Sequence, residues 1–171
     1  MSNIVEQKLL HRIRFLIALV IVGLVLSGVT AFALETEMRW LTDVLGIEAG
    51  ATGGDRAGLT RWLVTVRDAL IDTNARYPFI AYGTDWLAFA HLAIAVFFIG
   101  PLIDPRRNVW IIIAGLIACA GVILLALFAG QIRGIPLGWR LIDCSFGVLC
   151  AVPLILCWRW IGQLERIAPS V

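Results

Sequence analysis

The stretch Val109–Gly130, VWIIIAGLIACAGVILLALFAG, contains no charged residue and decides the fold of this chain. A helix rises about 1.5 Å per residue, so about 20 residues cross a hydrocarbon core about 30 Å thick. The core offers no hydrogen-bond partners to a bare backbone, so a segment that crosses it must be an α-helix. We therefore predict that residues 109–130 form a transmembrane helix.

Three further apolar segments of similar length lie between polar or glycine-rich breaks, at residues 13–34, 85–103 and 141–160. The composition agrees, since 60% of the 171 residues are hydrophobic and only 15% are charged. The alternating strands of about ten residues that are typical of outer-membrane barrels do not occur. We predict an all-α, polytopic membrane protein, a four-transmembrane-helix bundle that forms a single domain over residues 1–171.

The first apolar segment has two features of a secretory signal peptide. Lys8, Arg12 and Arg14 precede it, and Ala31-Phe32-Ala33 has the small-x-small form of a cleavage site. The apolar run is longer than the usual about 7–15 residues of a signal peptide. We therefore expect an uncleaved first membrane helix.

The orientation follows from the basic residues beside the early helix ends, which are Lys8, Arg12, Arg14, Arg106 and Arg107. Lysine and arginine are retained on the cytoplasmic side of membrane helices. Counted over the whole chain, these residues are equally numerous on both sides, so the prediction depends on their density at those two places. It puts both termini in the cytoplasm and the chain in a bacterial-type cytoplasmic (inner) membrane.

The connection between the first two membrane helices, residues 35–84, is predicted to be an extracytoplasmic amphipathic helical segment. It carries two apolar stripes at helical spacing, one formed by Trp40, Leu41, Val44 and Leu45 and the other by Leu59, Trp62, Leu63, Val66, Ala69 and Leu70. A glycine-rich turn at residues 50–55 separates them. Two interpretations stay open: the helices lie on the membrane surface with Trp40 and Trp62 as anchors, or they pack on the outer end of the bundle. Together they would form a lid.

Small residues four positions apart indicate where the membrane helices pack, because they let backbones approach closely. Such sets are Gly23, Ser27 and Ala31 in the first helix, Gly115 with Cys119 and Ala126 with Gly130 in the third, and Asp143, Gly147 and Ala151 in the fourth. These sets favour a compact, mostly antiparallel bundle.

Metal and nucleic-acid binding are not indicated. The four cysteines, Cys119, Cys144, Cys150 and Cys157, lie in apolar stretches without a CxxC or histidine-flanked spacing. They are interpreted as small packing residues. The net charge of +2 and the absence of a basic run give no reason to expect a nucleic-acid partner.

Polar residues within the apolar segments are the candidate functional residues, because ionisable groups in a membrane are costly. The predicted topology places Glu35, Asp85, His91, Trp139, Arg140 and Asp143 together in the outer leaflet. One interpretation is a ligand-binding pocket under the lid, in which His91 and Asp143 are also the catalytic candidates. The other is structural: Arg140 and Asp143 neutralise each other, and Asp85 caps a helix start.

His91 has its own alternatives. The residues around it are small, Ala88, Ala90, Ala93 and Ala95, and leave room for a haem or chlorophyll-type macrocycle with one axial histidine. Bis-histidine ligation is disfavoured because His11 lies at the opposite face. The more common arrangement is a histidine hydrogen-bonded to Asp143 or to a backbone carbonyl. No cofactor is therefore expected, with a macrocycle at His91 as the alternative.

Three functions agree with this pattern. Small size and the lack of a catalytic motif favour a non-catalytic accessory subunit or a protein that binds a small hydrophobic ligand, and the sequence gives more support to this than to an enzyme. The alternative is an intramembrane enzyme or redox protein that acts on a quinone or lipid through His91 and Asp143. The third is a small transporter that works as an oligomer. The expected partners are the lipid bilayer and either other membrane subunits or further copies of the chain.

Overall fold

The computed structural model describes residues 2–47 and 58–167, and all the regular secondary structure in these ranges is helical. The helices are α1 (Ser2–Phe32), α2 (Leu34–Val44), α3 (Gly58–Arg76), a short 3₁₀ helix (Pro78–Ile80), α4 (Ala81–Phe97), α5 (Ile99–Ile103), α6 (Val109–Ile132) and α7 (Leu137–Ile167). Four helical stretches are long and apolar enough to cross a membrane: Ile4–Phe32, Pro78–Ile103, Val109–Ile132 and Leu137–Ile167. The predicted all-α four-helix membrane bundle is confirmed.

The first and fourth membrane crossings, α1 and α7, are longer than the apolar segments that predict them. α1 begins at Ser2 and not near residue 13, and α7 continues to Ile167 and not to residue 160. Helix formation does not end where lipid contact ends, because polar residues such as Gln163, Glu165 and Arg166 are good helix formers. Both helices therefore project beyond the apolar layer at the same end of the bundle, here called the termini end. The opposite end, which carries α2 and α3, is called the α2–α3 end.

The second crossing is interrupted near the termini end. Because Pro101 has no N–H to donate to the carbonyl of Phe97, α4 ends at Phe97. The turn beyond α5 is held by side chains: Asn108 Nδ2 donates to the Gly100 carbonyl (3.2 Å), and Arg14 Nη2 of α1 donates to the Ile103 carbonyl (2.9 Å). The Arg14 bond satisfies a carbonyl at the end of α5, where intrahelical partners are lacking, whereas the Gly100 carbonyl also accepts the N–H of Asp104 at 2.9 Å.

The four crossings are arranged so that α1 packs against both α4 and α7, and α7 packs most extensively against α6. The main apolar core lies in the half of the bundle near the termini end. Its buried residues are Leu9, Ile13, Ile17, Val20, Phe98, Ile112, Cys119, Leu154, Cys157, Ile161 and Leu164. The half near the α2–α3 end has few large buried side chains. There, the backbones of neighbouring helices approach each other closely.

Those approaches occur at glycines. A Cβ atom added to Gly28 of α1 would lie 2.9 Å from the Ala88 carbonyl oxygen, and one added to Gly147 of α7 would lie 2.8 Å from the Cys119 carbonyl oxygen. The contact predicted at Gly147 of α7 is thus confirmed, whereas the one predicted for α1 is wrong at Gly23 and Ser27. A Cβ at Gly23 would meet nothing within 4 Å, and Ser27 is exposed. The single glycine at position 28 makes the contact that the longer stripe of small residues was expected to make.

α2 and α3 form a small layer of their own on the end of α7. Ile47, Leu63 and Val64 are buried together, and Trp139 at the start of α7 packs against them. This contact supports the interpretation that the connection packs on the bundle end. Trp40 is 66% exposed, so it takes no part in that packing. The predicted turn at residues 50–55 lies outside the described residues.

Candidate functional site

The structure distributes the predicted site residues over three places. Asp85 and His91 lie on α4, Arg140 and Asp143 lie on α7 facing α6, and Glu35 lies on α2. The contacts that follow show which of them share an environment.

Asp85 and His91 do not share a face. Six residues of α-helix turn the chain so that the two side chains point about 120° apart. Ala88 and Ala95 form a stripe between them that is buried against α1. Asp85 lies on one side of this stripe and His91 on the other, and both are half-buried. His91 also lies near the middle of the Pro78–Ile103 crossing, because α4 begins earlier than predicted. Its position in the outer leaflet stays a prediction.

Arg140 interacts with α6 and not with Asp143. Its Nη1 donates to the Leu127 carbonyl at 3.1 Å and to Gln131 Oε1 at 3.4 Å. The aliphatic part of the side chain lies against Gly130, where an added Cβ would be 2.7 Å from Arg140 Cδ. The predicted pairing of Arg140 with Asp143 is not formed, because the glycine opens a path for the guanidinium towards the last carbonyls of α6.

Asp143 is half-buried and lies on the same side of α7 as Gly147, four residues later, which packs on α6. Its carboxylate has no hydrogen-bond or ion-pair partner among the described residues. An unpartnered carboxylate within a membrane helix is uncommon and marks a position worth testing.

Glu35 and Trp139 belong to the layer formed by α2 and α3. Asn74 of α3 donates a hydrogen bond of 2.6 Å to Glu35 Oε2, and Arg39 forms an ion pair of 2.8 Å with Glu35 Oε1. The Asn74 hydrogen bond and then the Arg39 interaction hold the pKa of Glu35 below its ordinary value. Both residues therefore fasten the connecting segment, and neither faces His91 through any contact that the structure describes.

His91 has the most defined chemistry of the six residues. Its Nδ1 lies 2.8 Å from the Leu87 carbonyl oxygen one turn earlier. A carbonyl only accepts, so this contact requires the proton on Nδ1 and leaves the lone pair on Nε2. The same arrangement, one ring nitrogen bonded to a carbonyl and the other free, orients histidines that bind metals. The prediction of a backbone-bonded histidine is confirmed, and it leaves one acceptor atom available.

The available nitrogen belongs to a ring on the flank of α4 next to its contact with α1, and we call the region between this flank and α6 the lateral cleft. Phe98 follows His91 by seven residues and so lies on the same flank; its ring is 2.9 Å from the position of a Cβ on Gly115 of α6. α4 packs mainly against α1, whereas α6 and α7 pack mainly against each other. Phe98 therefore bounds the lateral cleft at one end, and His91 lies on the same flank of α4.

The cysteines play a packing role where the structure shows contacts. Cys157 is fully buried, and its Sγ lies 3.7 Å from the Ile13 carbonyl oxygen, which joins α7 to α1. Within the described ranges no group of three or more histidine, cysteine or acidic side chains is arranged to hold a metal ion.

One further group includes Lys8 and Arg12, which in the sequence predict only the orientation of the chain. Lys8, Arg12 and Arg166 line one groove at the termini end. Lys8 and Arg12 share a helix face because they are four residues apart, which the sequence does show. The approach of Arg166 depends on how α7 packs against α1, which the sequence does not show.

Together these features define an all-α, multi-pass membrane protein in which His91 Nε2 has no hydrogen-bond partner among the described residues. Comparison with protein-family models, with curated proteins and with solved structures finds no match to this chain.

Proposed function

We propose that this protein is a non-catalytic membrane component that binds a small hydrophobic ligand in the lateral cleft, with His91 as its polar contact. The observation that carries the proposal is the hydrogen bond from His91 Nδ1 to the Leu87 carbonyl, which leaves Nε2 free on a half-buried ring. Because the ring is held by its own helix, Nε2 is oriented before any ligand arrives. Such preorganisation lowers the entropy that binding must overcome.

The ligand should carry a hydrogen-bond donor on an otherwise apolar body, because Nε2 only accepts and the surrounding helix faces are apolar. A quinol hydroxyl satisfies this requirement, since the head group donates to Nε2 and the tail lies along the lipid-exposed surface. A haem or chlorophyll-type macrocycle bound through Nε2 is the second candidate, favoured by the small residues around His91. The two are distinguished by their visible absorbance.

The arrangement supports binding more than catalysis. General acid–base chemistry by His91 and Asp143 requires both groups within hydrogen-bond reach of one substrate atom. Asp143 lies on the α6-facing side of α7, whereas His91 is bonded within α4. No contact among residues 2–47 and 58–167 favours the enzyme or the transporter. We propose other membrane subunits or a second copy of the chain as partners.

The location in a bacterial-type inner membrane, with both termini cytoplasmic, is part of the same proposal. It is supported by the basic residues at the termini end, where Lys8, Arg12 and Arg14 lie beside Arg106 and Arg107. In this orientation we propose that α2 and α3 are amphipathic helices on the outer surface and that the exposed Trp40 anchors them at the interface.

The test is native mass spectrometry and absorbance spectroscopy of the purified full chain, followed by titration with a short-tailed quinol. Wild-type protein and His11→Ala should bind the quinol equally, because His11 is exposed on α1 near the opposite end. His91→Ala should weaken binding by about three- to tenfold, the usual effect of losing one hydrogen bond. Equal binding by both variants would overturn the role of His91. A visible macrocycle band that disappears only in His91→Ala would replace the quinol by the second candidate.

A further inference from the structure

A groove at the termini end lies between the first turns of α1 and the last turns of α7. It has a volume of about 390 Å³, and its lining includes Val5, Leu9 and Ile167 as well as three cationic side chains, Lys8, Arg12 and Arg166. Such a groove is complementary to a phospholipid: its cationic side chains match the phosphate of the head group, and its apolar side chains match the start of the acyl chains.

The depth of the groove corresponds to the head-group layer. Lys8 precedes the apolar stretch that begins at Ile13 by about 7.5 Å, and Arg166 lies about 9 Å beyond Trp160, where the last apolar stretch ends. The polar layers of a bilayer extend about 5–8 Å beyond the hydrocarbon core on each side. Lys8 and Arg166 are thus at about the level of lipid phosphates, whereas Arg12, one residue before Ile13, lies closer to the hydrocarbon core.

The charges in this region are arranged to leave the three cations available. Glu6, the acidic residue of α1 nearest to them in sequence, is held by Arg106 in an ion pair of 2.7 Å. Among the described residues Lys8, Arg12 and Arg166 form no salt bridge. The guanidinium of Arg12 lies 6.0 Å from the centre of the Trp160 ring, which fixes the direction of that side chain.

We propose that this groove is a binding site for one anionic phospholipid of the leaflet at the termini end. Lys8 and Arg166 contact the phosphate from the two helices, and Arg12 lies deeper, beside the glycerol oxygens. Val5, Leu9 and Ile167 contact the first methylene groups of an acyl chain. Basic pockets between membrane helices recognise anionic head groups in this way. The lipid would join the ends of α1 and α7, and the site is separate from the lateral cleft.

The experiment uses delipidated full-length protein in neutral detergent and measures bound lipid by native mass spectrometry. Short-chain phosphatidylglycerol and phosphatidylcholine are titrated in parallel. The wild type should bind one phosphatidylglycerol much more tightly than phosphatidylcholine. Lys8→Gln/Arg166→Gln should bind phosphatidylglycerol about 30-fold more weakly, since each surface cation contributes about a factor of five.

The matched control is Arg107→Gln/Arg159→Gln, which removes the same charge from two exposed positions at the same end. It should keep the wild-type affinity to within about threefold, and thermal unfolding should show that both double variants fold. Equal weakening in the two double variants would overturn the proposal, because it would indicate a general charge effect. Wild-type binding of soluble glycerol phosphate as tight as that of the lipid would also overturn it.

Discussion

At the scale of single residues, Gly147 sets the distance between α6 and α7. A Cβ atom there would lie 2.8 Å from the Cys119 carbonyl oxygen, a backbone atom that cannot move without its helix. Gly147→Ala should therefore destabilise the protein by about 1–3 kcal/mol, the usual effect of overpacking. Thermal unfolding in detergent, followed by circular dichroism, measures the difference.

Gly162 is the control for this substitution because it lies in the same helix and a Cβ there would meet nothing within 4 Å. Gly162→Ala should leave stability unchanged or raise it by up to about 1 kcal/mol, because alanine has the higher helix propensity. If the two substitutions had the same effect, the α6–α7 contact at Gly147 would be wrong.

Glu35 gives a pH-dependent prediction at the same scale. Its pKa is lowered from the ordinary value of 4.5 by the hydrogen bond from Asn74 and by Arg39. A lowered pKa in the folded state means that the carboxylate contributes stability above pH 4.5 and loses it as the pH falls through the folded-state value. Asn74→Ala should raise the Glu35 titration midpoint, measured by carboxyl-carbon NMR. Asn108→Ala, at the opposite end, should not; an unchanged midpoint in Asn74→Ala would contradict the contact.

At the scale of elements, Trp139 connects the α2–α3 layer to the membrane helices. It packs against the cluster of Ile47, Leu63 and Val64. Trp139→Ala should therefore increase amide hydrogen exchange in α2 and α3 about tenfold or more, because the layer loses its largest contact with α7. Trp158→Ala, which removes a 52% exposed tryptophan of the same helix, is the control and should leave that exchange unchanged. Unchanged exchange in Trp139→Ala would show that the layer is held otherwise.

The elements were more predictable than their contacts. Length and hydropathy predict the four crossings because a bilayer imposes a minimum apolar length, and apolar periodicity predicts α2 and α3. The small-residue pattern did not identify Gly28, because more than one face of α1 carries small residues and the sequence does not state which face meets α4. The different directions of the Asp85 and His91 side chains were predictable, because two residues six positions apart in an α-helix do not share a face.

The candidate site shows the same limit. His91 was identified from its position in an apolar segment, and its bond to Leu87 follows from the i−4 geometry of a helix. Arg140 was expected to pair with Asp143 on its own helix, yet it bonds to the Leu127 carbonyl of α6. The partner of Arg140 depends on the space that Gly130 leaves for its side chain, and this space forms only when α6 and α7 pack together.

At the scale of the whole molecule, the two ends of the bundle differ in construction. The large buried side chains, among them Ile13, Ile112 and Leu154, lie near the termini end. At the α2–α3 end, Trp139 of α7 packs against the connecting layer. The groove proposed for the lipid lies between the first turns of α1 and the last turns of α7, whereas His91 lies near the middle of the second crossing, so the two proposed ligands are apart. Loss of either ligand should therefore leave the other bound.

The orientation of the whole molecule gives the last prediction. Arg107 and Arg133 are both exposed, and they lie in the turns at opposite ends of α6. In a variant whose four native cysteines are replaced by alanine, each arginine is changed to cysteine and the chain is expressed in a bacterial inner membrane. If the basic termini end is cytoplasmic, a membrane-impermeant maleimide should label Arg133→Cys in spheroplasts and Arg107→Cys only after lysis. An even number of crossings then places the start of α1 and the end of α7 in the cytoplasm together. Labelling of Arg107→Cys alone in intact spheroplasts would reverse the orientation and move the phospholipid site to the outer leaflet, while leaving its side-chain contacts as described.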